Sequence, residues 1–258
     1  MNINIADIPI LWPEEHRGFV SGFETETECT PEFTLSMASP LRECHGVEFA
    51  EVTGQHFLHR SVQPPEFLFA SADWTEAALS CDRYADENYA LPLAALCSRL
   101  AYFQALLLHG SLVELDGAGV VFTGYSGIGK TTQAQLWEKY LHAEIINGDK
   151  LFLRIREDGI FAYGIPWKGS SPYCQNRKVP VKGIVVLQQA KENTMERLDS
   201  ISAMEYFLPH IFLPHWDWEC LGLALDTLDR VLGSVPIWLL KCRPDEDAVL
   251  LTKEHLYG

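Results

Sequence analysis

A glycine-rich segment that follows an apolar run has the residue types and spacing of a phosphate-binding loop. Residues 124–132 read Gly-Tyr-Ser-Gly-Ile-Gly-Lys-Thr-Thr and match the pattern G-x-x-x-x-G-K-[ST]. In such a loop, backbone N–H groups point into one concavity at the amino end of a helix, whose dipole favours negative charge. The pattern therefore predicts that this segment binds a polyphosphate.

The residues of the loop have separate expected roles. Lys130 is expected to reach the β and γ phosphates, and the hydroxyl of Thr131 is expected to ligate Mg²⁺. The other residues expected to surround the phosphates of ATP are Gly124, Tyr125, Ser126, Gly127, Ile128, Gly129 and Thr132. The loop must follow a strand and precede a helix, and residues 119–123 and 130–140 predict these two elements.

The composition of the chain excludes several classes of protein. Its 258 residues carry a formal net charge of -15, which argues against a nucleic-acid binder with a basic surface. Its seven cysteines are scattered without a C-x-x-C pair, so we expect reduced thiols. No secretory signal and no apolar run of about 20 residues is evident, so we expect a cytoplasmic protein without a membrane partner.

Two parts are expected along the chain. Residues 1–88 read as a small β-rich amino-terminal unit, with strands at 33–37, 47–52 and 67–70 between proline and glycine residues. An N-cap aspartate with glutamate three positions later predicts a helix over 73–80. Residues 91–108 are apolar almost all round and predict a buried helix.

The second part, residues 89–258, is predicted to be an α/β domain with a mixed sheet. Asp116 and Gly117 indicate a hairpin that leads into the loop, and Glu157 and Asp158 indicate a second hairpin between strands at 151–155 and 159–163. Further strands are expected at 145–146, 183–187 and 237–240, and helices at 202–207, 217–232 and 245–255. A fully parallel sheet would instead require strands and helices to alternate.

Three segments together resemble the core of HPr kinase/phosphorylase. They are residues 108–111, with His109 before glycine, residues 119–132 with the loop, and residues 145–150 with Asp149. The same core is shared with the nucleotide-binding fold of ATP-dependent phosphoenolpyruvate carboxykinase. Residues 163–169, 179–189 and 242–246 resemble a branch of small HPr-kinase-like proteins, some of which are associated with phosphorylation of ribosomal peptide precursors.

The resemblance implies a kinase that uses ATP and Mg²⁺. Phosphoryl transfer requires positioning and charge neutralisation, for which a lysine, a metal and a carboxylate suffice. The resemblance assigns Lys130, Asp149 and His109 to catalysis, and Thr131 and Asp149 to the metal. His109 matches the histidine that HPr kinases place beside the γ phosphate. HPr kinases form hexamers, so the resemblance includes a homo-oligomer among the expected partners.

One position departs from the family pattern. HPr kinases and the carboxykinases carry two adjacent aspartates where this chain has Gly148 and Asp149. Asp149 matches the second, which serves the metal, so the general base is left open between Asp149 and His109. On this basis Gly148→Asp is expected to raise activity.

Several functions agree with these residues. The first is a kinase that phosphorylates a serine of a peptide or small protein, for which the amino-terminal unit would be the docking place. The alternatives are a non-catalytic ATP-binding regulatory module and a kinase of a small-molecule hydroxyl. Decarboxylation is disfavoured because we find no additional metal-binding and oxaloacetate-binding elements.

Other polar residues rank lower as site candidates. Trp167, Lys168, Ser170 and Ser171 belong to a loop at which a substrate would enter, or which is only a connection. Arg177, Lys178 and Arg243 are candidates to contact phosphate, or surface charges. His210 and His215 could suggest a metal site, but the spacing of metal ligands is missing.

Overall fold

A computed structural model describes residues 1–27, 29–38, 55–60, 66–80 and 89–258. These residues form two compact units, Met1–Tyr102 and Phe103–Gly258. The sequence placed the boundary after residue 88, whereas the helix α1 (Ala90–Ala101) lies within the first unit. Each unit is described by itself below.

The first unit is rich in β-strands, as expected, and its described strands form one sheet. Its described strands are β1 (Asn2–Ile5), β2 (Ile8–Leu11), β3 (Phe33–Met37), β4 (Gln55–Arg60), β5 (Glu66–Ser71) and β6 (Glu76–Ser80). They are ordered β1-β2-β3-β6-β5-β4, and a 3₁₀ helix covers Glu14–Val20. The strands expected at 33–37 and 67–70 are confirmed by β3 and β5, whereas the one expected at 47–52 lies outside the described residues.

The prediction of a helix over 73–80 is wrong, because this segment forms a turn and then strand β6. The carboxylate of Asp73 accepts hydrogen bonds from the backbone N–H and the hydroxyl of Thr75, only two residues on, at 3.2 and 2.8 Å. Trp74, between these two residues, has a positive φ of 58°, which a helix does not allow, so Asp73 stabilises a turn here rather than capping a helix. Residues of β6 then pair with β3 and β5.

The helix predicted over 91–108 is also too long. α1 is buried along ten of its twelve residues, as its apolar surface predicted, but it ends at Ala101. Gln104 has a positive φ of 55°, which a helix does not allow, and the chain continues as a strand from Ala105. Leu106, Leu107 and Leu108 therefore alternate across a sheet.

The second unit contains nine strands in one sheet, in residues 103–258, all of which the structure describes. The elements are β7 (Ala105–Leu115), β8 (Ala118–Thr123), α2 (Lys130–Leu141), β9 (Glu144–Asn147), β10 (Lys150–Arg156), β11 (Gly159–Gly164), β12 (Lys178–Gln189), β13 (Thr194–Arg197), α3 (Ser200–Phe207), a 3₁₀ turn (Leu208–His210), β14 (Ile211–Phe212), α4 (Trp218–Ser234), β15 (Ile237–Cys242) and α5 (Glu246–Tyr257). The main strand order is β11-β10-β7-β8-β12-β15-β13, and β9 and β14 also pair with β7.

The sheet is mixed, which confirms the predicted fold class. β7 pairs antiparallel with β8 and β10, and β10 pairs antiparallel with β11. In contrast, β12 runs parallel to β8 and β15. The carboxyl ends of β8, β12 and β15 therefore meet at one edge of the sheet, which is where ligands bind in α/β folds.

Helices cover both faces of this sheet and hold it rigid. On one face, Phe122 and Val185 of the sheet share a core with Trp137 of α2 and Val249 of α5. On the other face, Leu108 of β7 belongs to a second core, with residues of α3 and α4. Packing on both faces fixes the strand ends from which the site is built.

None of the helices in the described part of the chain has the length and apolar character that crossing a bilayer requires.

Candidate functional site

The predicted phosphate-binding loop lies between β8 and α2. Three of its glycines have positive φ values, 145° at Gly124, 76° at Gly127 and 114° at Gly129. Residues with a side chain rarely adopt these values, so the spacing of the glycines is what lets the loop turn tightly before α2. The strand and helix on either side are those that the sequence predicted.

The amino end of α2 differs from those of the other long helices in residues 103–258. α3, α4 and α5 are capped by aspartate side chains, whereas α2 begins after Gly129 without a side-chain cap. Its first backbone N–H groups therefore have no capping carboxylate. Together with the loop, they form a place for an anion.

Lys130 is held inside the loop. Its side chain is buried, and its Nζ donates hydrogen bonds to the carbonyl oxygens of Gly124 and Tyr125 at 3.1 and 3.2 Å. Burial lowers the pKa of Lys130, and the negative charge of Asp149 partly opposes this effect. The Ser111 hydroxyl donates to the Lys130 carbonyl at 2.9 Å and ties α2 to β7.

His109 and Asp149 come together because their strands pair. β7 and β10 are antiparallel with His109 opposite Lys150, and the Gly110 N–H donates to the Asp149 carbonyl at 2.9 Å. His109 Nε2 lies 3.2 Å from Asp149 Oδ1, and Lys150 Nζ binds Oδ2 of the same carboxylate. Asp149 is thus held on both oxygens.

The environment of Asp149 favours its ionised form. Burial alone would raise its pKa, but the hydrogen bonds from His109 and Lys150, and the charge of Lys150, outweigh burial and lower the pKa to about 2. The carboxylate is therefore charged at neutral pH and is a very weak base. This arrangement suits a metal ligand better than a proton acceptor.

Thr131 is hydrogen-bonded to the residue that precedes Asp149. Its hydroxyl donates a hydrogen bond to the carbonyl of Gly148 at 3.1 Å, so the two predicted metal ligands are held close through one backbone group. Four of the predicted residues, Lys130, Thr131, His109 and Asp149, are therefore brought together at the loop.

Gly148 has no space for a side chain. A Cβ atom there would lie 2.6 Å from the Cβ of Ser171 and still closer to its hydroxyl. Ser171 is buried and fills the volume next to Gly148. This removes the reason to expect that Gly148→Asp raises activity, because the aspartate would collide with Ser171.

Gly148→Ala is expected to destabilise the protein by about 1–3 kcal/mol, the usual cost of an added group in a packed site. Ser171→Gly should remove the collision, so the double variant should lose less than the sum of the two single variants. Chemical denaturation of the four proteins measures this coupling. Additive losses would contradict the packing of Ser171 against Gly148.

The loop of Trp167, Lys168, Ser170 and Ser171 lies beside Asp149. Gly169 has a φ of 56°, and a Cβ there would come within 2.7 Å of Asp149 Oδ2. The backbone at Gly169 therefore approaches the carboxylate closely, while Lys168 and Ser170 are exposed. This segment is part of the wall of the site.

The three other predicted cations differ in their surroundings. Arg177 forms ion pairs with the carboxylates of Glu114 and Glu144, which neutralise its positive charge. Lys178 lies 5.7 Å from the ring centre of Phe161. Arg243 pairs with Asp245 at 2.8 Å and lies at the edge of a cavity beside the loop.

That cavity has a volume of about 400 Å³ and is open to the phosphate-binding loop. Its walls are residues 127–129 of the loop, the ends of β12 and β15, and Gln133 of α2. Gln133 is buried, and its Oε1 has no hydrogen-bond partner among the described residues. A cavity of this size and position can hold a nucleoside.

His210 lies at the phosphate-binding loop. From the sequence it was only a weak candidate for a metal ligand. Its ring centre lies 5.1 Å from that of Tyr125 in the loop, at an interplanar angle of 84°. The ring of His215 instead packs against Trp216. No group of three or more His, Cys, Asp or Glu side chains suited to a metal was found among the residues described.

Similar proteins were found for part of the chain. The family model "SynChlorMet cassette protein ScmC" matches residues 88–208, which is slightly less than half of the chain. A curated HPr kinase/phosphorylase of Clostridium tetani (strain Massachusetts / E88) is 28% identical over 132 residues, covering 50% of this chain and 40% of the relative. One of Thermoanaerobacter sp. (strain X514) is 26% identical over 152 residues, covering 57% and 47%.

Among solved structures, the Hpr(Ser) kinase/phosphatase of Coxiella burnetii matches with a TM-score of 0.36 and 11% identity, covering 58% of this chain and 95% of that one. This likeness is too weak to support conclusions. The matches to the two curated relatives span less than half of their length. Over that length the resemblance seen in the motifs is confirmed, because the chain has HPr kinase/phosphorylases among its curated homologues and a match to ScmC.

Proposed function

We propose that the protein is an ATP- and Mg²⁺-dependent kinase that transfers the γ-phosphoryl group to a hydroxyl, namely a serine of a peptide or small protein. The observation that carries the proposal is the convergence of Lys130, Thr131, His109 and Asp149 at one phosphate-binding loop. Positioning and charge neutralisation are the main requirements of phosphoryl transfer, and these groups can provide both.

The residues fit a magnesium ion bound together with a nucleotide. Mg²⁺ prefers oxygen ligands and is commonly held by one or two carboxylates, water and substrate phosphates. The ionised Asp149 and the Thr131 hydroxyl are such oxygens, and both lie beside the loop. When bound, the metal would neutralise charge on the phosphates.

Two features favour ATP over a smaller phosphate compound. The loop offers backbone donors for several phosphate groups, and the cavity of about 400 Å³ beside it has room for the nucleoside. The cavity lies at the carboxyl ends of β12 and β15, beside residues 127–129 of the phosphate-binding loop. A triphosphate bound at Lys130 can therefore extend into it.

The relatives support a kinase and leave the acceptor to be proposed. The curated relatives are named as kinases of HPr, but this chain matches less than half of each. The match to ScmC agrees with the peptide-precursor branch of small HPr-kinase-like proteins. A peptide acceptor is therefore our proposal, with the first unit as its docking place.

A non-catalytic ATP-binding module is the second candidate. The observation that favours it is Gly148, which replaces one carboxylate of the family pattern and whose side-chain space is filled by Ser171. In such a module ATP would only stabilise one conformation.

ADP formation separates the two functions. The protein is incubated with Mg-ATP and a library of short peptides with a central serine, and ADP release and ATP-dependent thermal stabilisation are followed together. The kinase predicts ADP release that increases with peptide concentration. Stabilisation by ATP without peptide-dependent ADP release would favour the regulatory module.

A further inference from the structure

His210 is placed at the phosphate-binding loop by strand pairing. It ends the 3₁₀ turn Leu208–His210 and precedes β14, which pairs antiparallel with β7. In this register Ile211 lies opposite Leu108. The residues one step further along the two chains are His210 and His109, so the pairing brings these two histidines close together near the middle of β7.

The contact with Tyr125 locates His210 at the lysine side of the loop. The two rings meet edge to face, and the Tyr125 carbonyl also accepts a hydrogen bond from Lys130 Nζ. Lysine in this motif reaches the β and γ phosphates. His210 therefore lies at the end of the loop where the γ phosphate is expected.

His210 is buried, with 7% of its surface exposed. The titratable groups that face it are His109 from β7, Tyr125 from the loop and Lys130 from α2. Burial, and then the charges of Lys130 and His109, lower the pKa of His210. At neutral pH its ring is therefore uncharged and can accept a proton.

The neighbouring groups are less suited to this task. Asp149 is held by His109 and Lys150, and its pKa of about 2 makes it a weak base. His109 Nε2 lies 3.2 Å from the Asp149 carboxylate, so this nitrogen is occupied and cannot reach the acceptor hydroxyl at the same time. The first of the two adjacent aspartates of the family pattern is absent, because Gly148 stands in its place.

We propose that His210 is a catalytic residue that accepts the proton of the acceptor hydroxyl, an assignment that rests on the proposed kinase function. The hydroxyl oxygen forms a bond to the γ phosphorus while the bond from the γ phosphorus to the bridging oxygen breaks. ADP leaves with that electron pair. The hydroxyl proton moves to an imidazole nitrogen of His210 and is later released to water.

The kinetic test compares His210→Gln and His210→Asn with His215→Gln, a variant of an exposed histidine five residues away. With Mg-ATP and the serine peptide library, kcat/KM of the wild type should fall as the pH drops through the pKa of His210. At neutral pH both His210 variants should lose about 10²–10⁴-fold in kcat and lose this acidic limb, because general-base catalysis is worth that much. His215→Gln should match the wild type.

A second readout needs no turnover. Imidazole NMR signals of the protein without nucleotide are titrated, and the His210 signals are assigned by their loss in His210→Asn. They should titrate below the ordinary value of 6.5 and shift when Mg-ADP binds.

Three results would overturn the assignment. Titration of His210 well above neutral pH would leave its ring protonated under the assay conditions, so that it could not accept the proton. Wild-type kcat with an unchanged acidic limb in both His210 variants would remove its role while leaving the kinase function intact. Absence of peptide phosphorylation by the wild type, with Mg-ATP bound, would remove both the kinase function and this role.

Discussion

Lys130→Ala is expected to reduce phosphoryl transfer by about 10³-fold or more, as is typical when a cation or donor at a transferring group is removed. The Lys130 ammonium is buried within the loop and bonds to Gly124 and Tyr125. With ATP bound, these donors would turn to the phosphates. The alanine variant leaves the phosphate charge without its nearest cation, so the affinity for ATP should also fall. Calorimetry with ATP and steady-state kinetics measure both effects.

Lys139→Ala is the matched control, because Lys139 lies on the same helix but is exposed and contacts Tyr140. It should bind ATP and turn over like the wild type. Both variants should have similar melting temperatures without nucleotide. Equal turnover of Lys130→Ala and Lys139→Ala would remove Lys130 from the site.

Asp149→Asn is expected to lower kcat by about 10²–10⁴-fold, within the range for loss of electrostatic stabilisation in an active site. The amide cannot supply the negative charge that Mg²⁺ prefers, and it also releases the contacts with His109 and Lys150. The variant should therefore need more Mg²⁺ for half-maximal activity. Turnover measured over a series of Mg²⁺ concentrations tests this expectation.

Asp158→Asn provides the control for charge, since Asp158 is exposed in the turn between β10 and β11. It removes the same charge without touching the loop. If Asp149→Asn kept wild-type turnover and the same Mg²⁺ requirement, the assignment of Asp149 to the metal would be wrong.

Features that depend on neighbouring residues could be predicted from the sequence. The loop spacing placed Gly124 to Gly129 between a strand and a helix, and the positive φ values of its glycines are what this turn requires. Asp116 and Gly117, with φ of 52° and 78°, form the predicted hairpin turn. The mixed sheet was predicted from the second short hairpin, whose turn is Glu157 and Asp158.

Features that depend on distant residues could not be predicted in this way. At residues 73–80, the helix-start pattern was overridden because β6 pairs with β3 and β5, and the apolar residues 105–108 joined β7 rather than α1. Ser171 meets Gly148, and His210 meets Tyr125, only in the folded chain. The residues of each pair are far apart along the chain, so no sequence pattern predicts that they are in contact.

We propose that a phosphoryl group moves from ATP to a peptide hydroxyl at this loop. Mass spectrometry of a serine peptide library, incubated with Mg-ATP and either the wild type or Lys130→Ala, tests this transfer. We predict peptides heavier by one phosphoryl group, modified on serine, with the wild type and not with the variant. Binding of Mg-ATP without any such product, or equal product from both proteins, would contradict phosphoryl transfer at this loop.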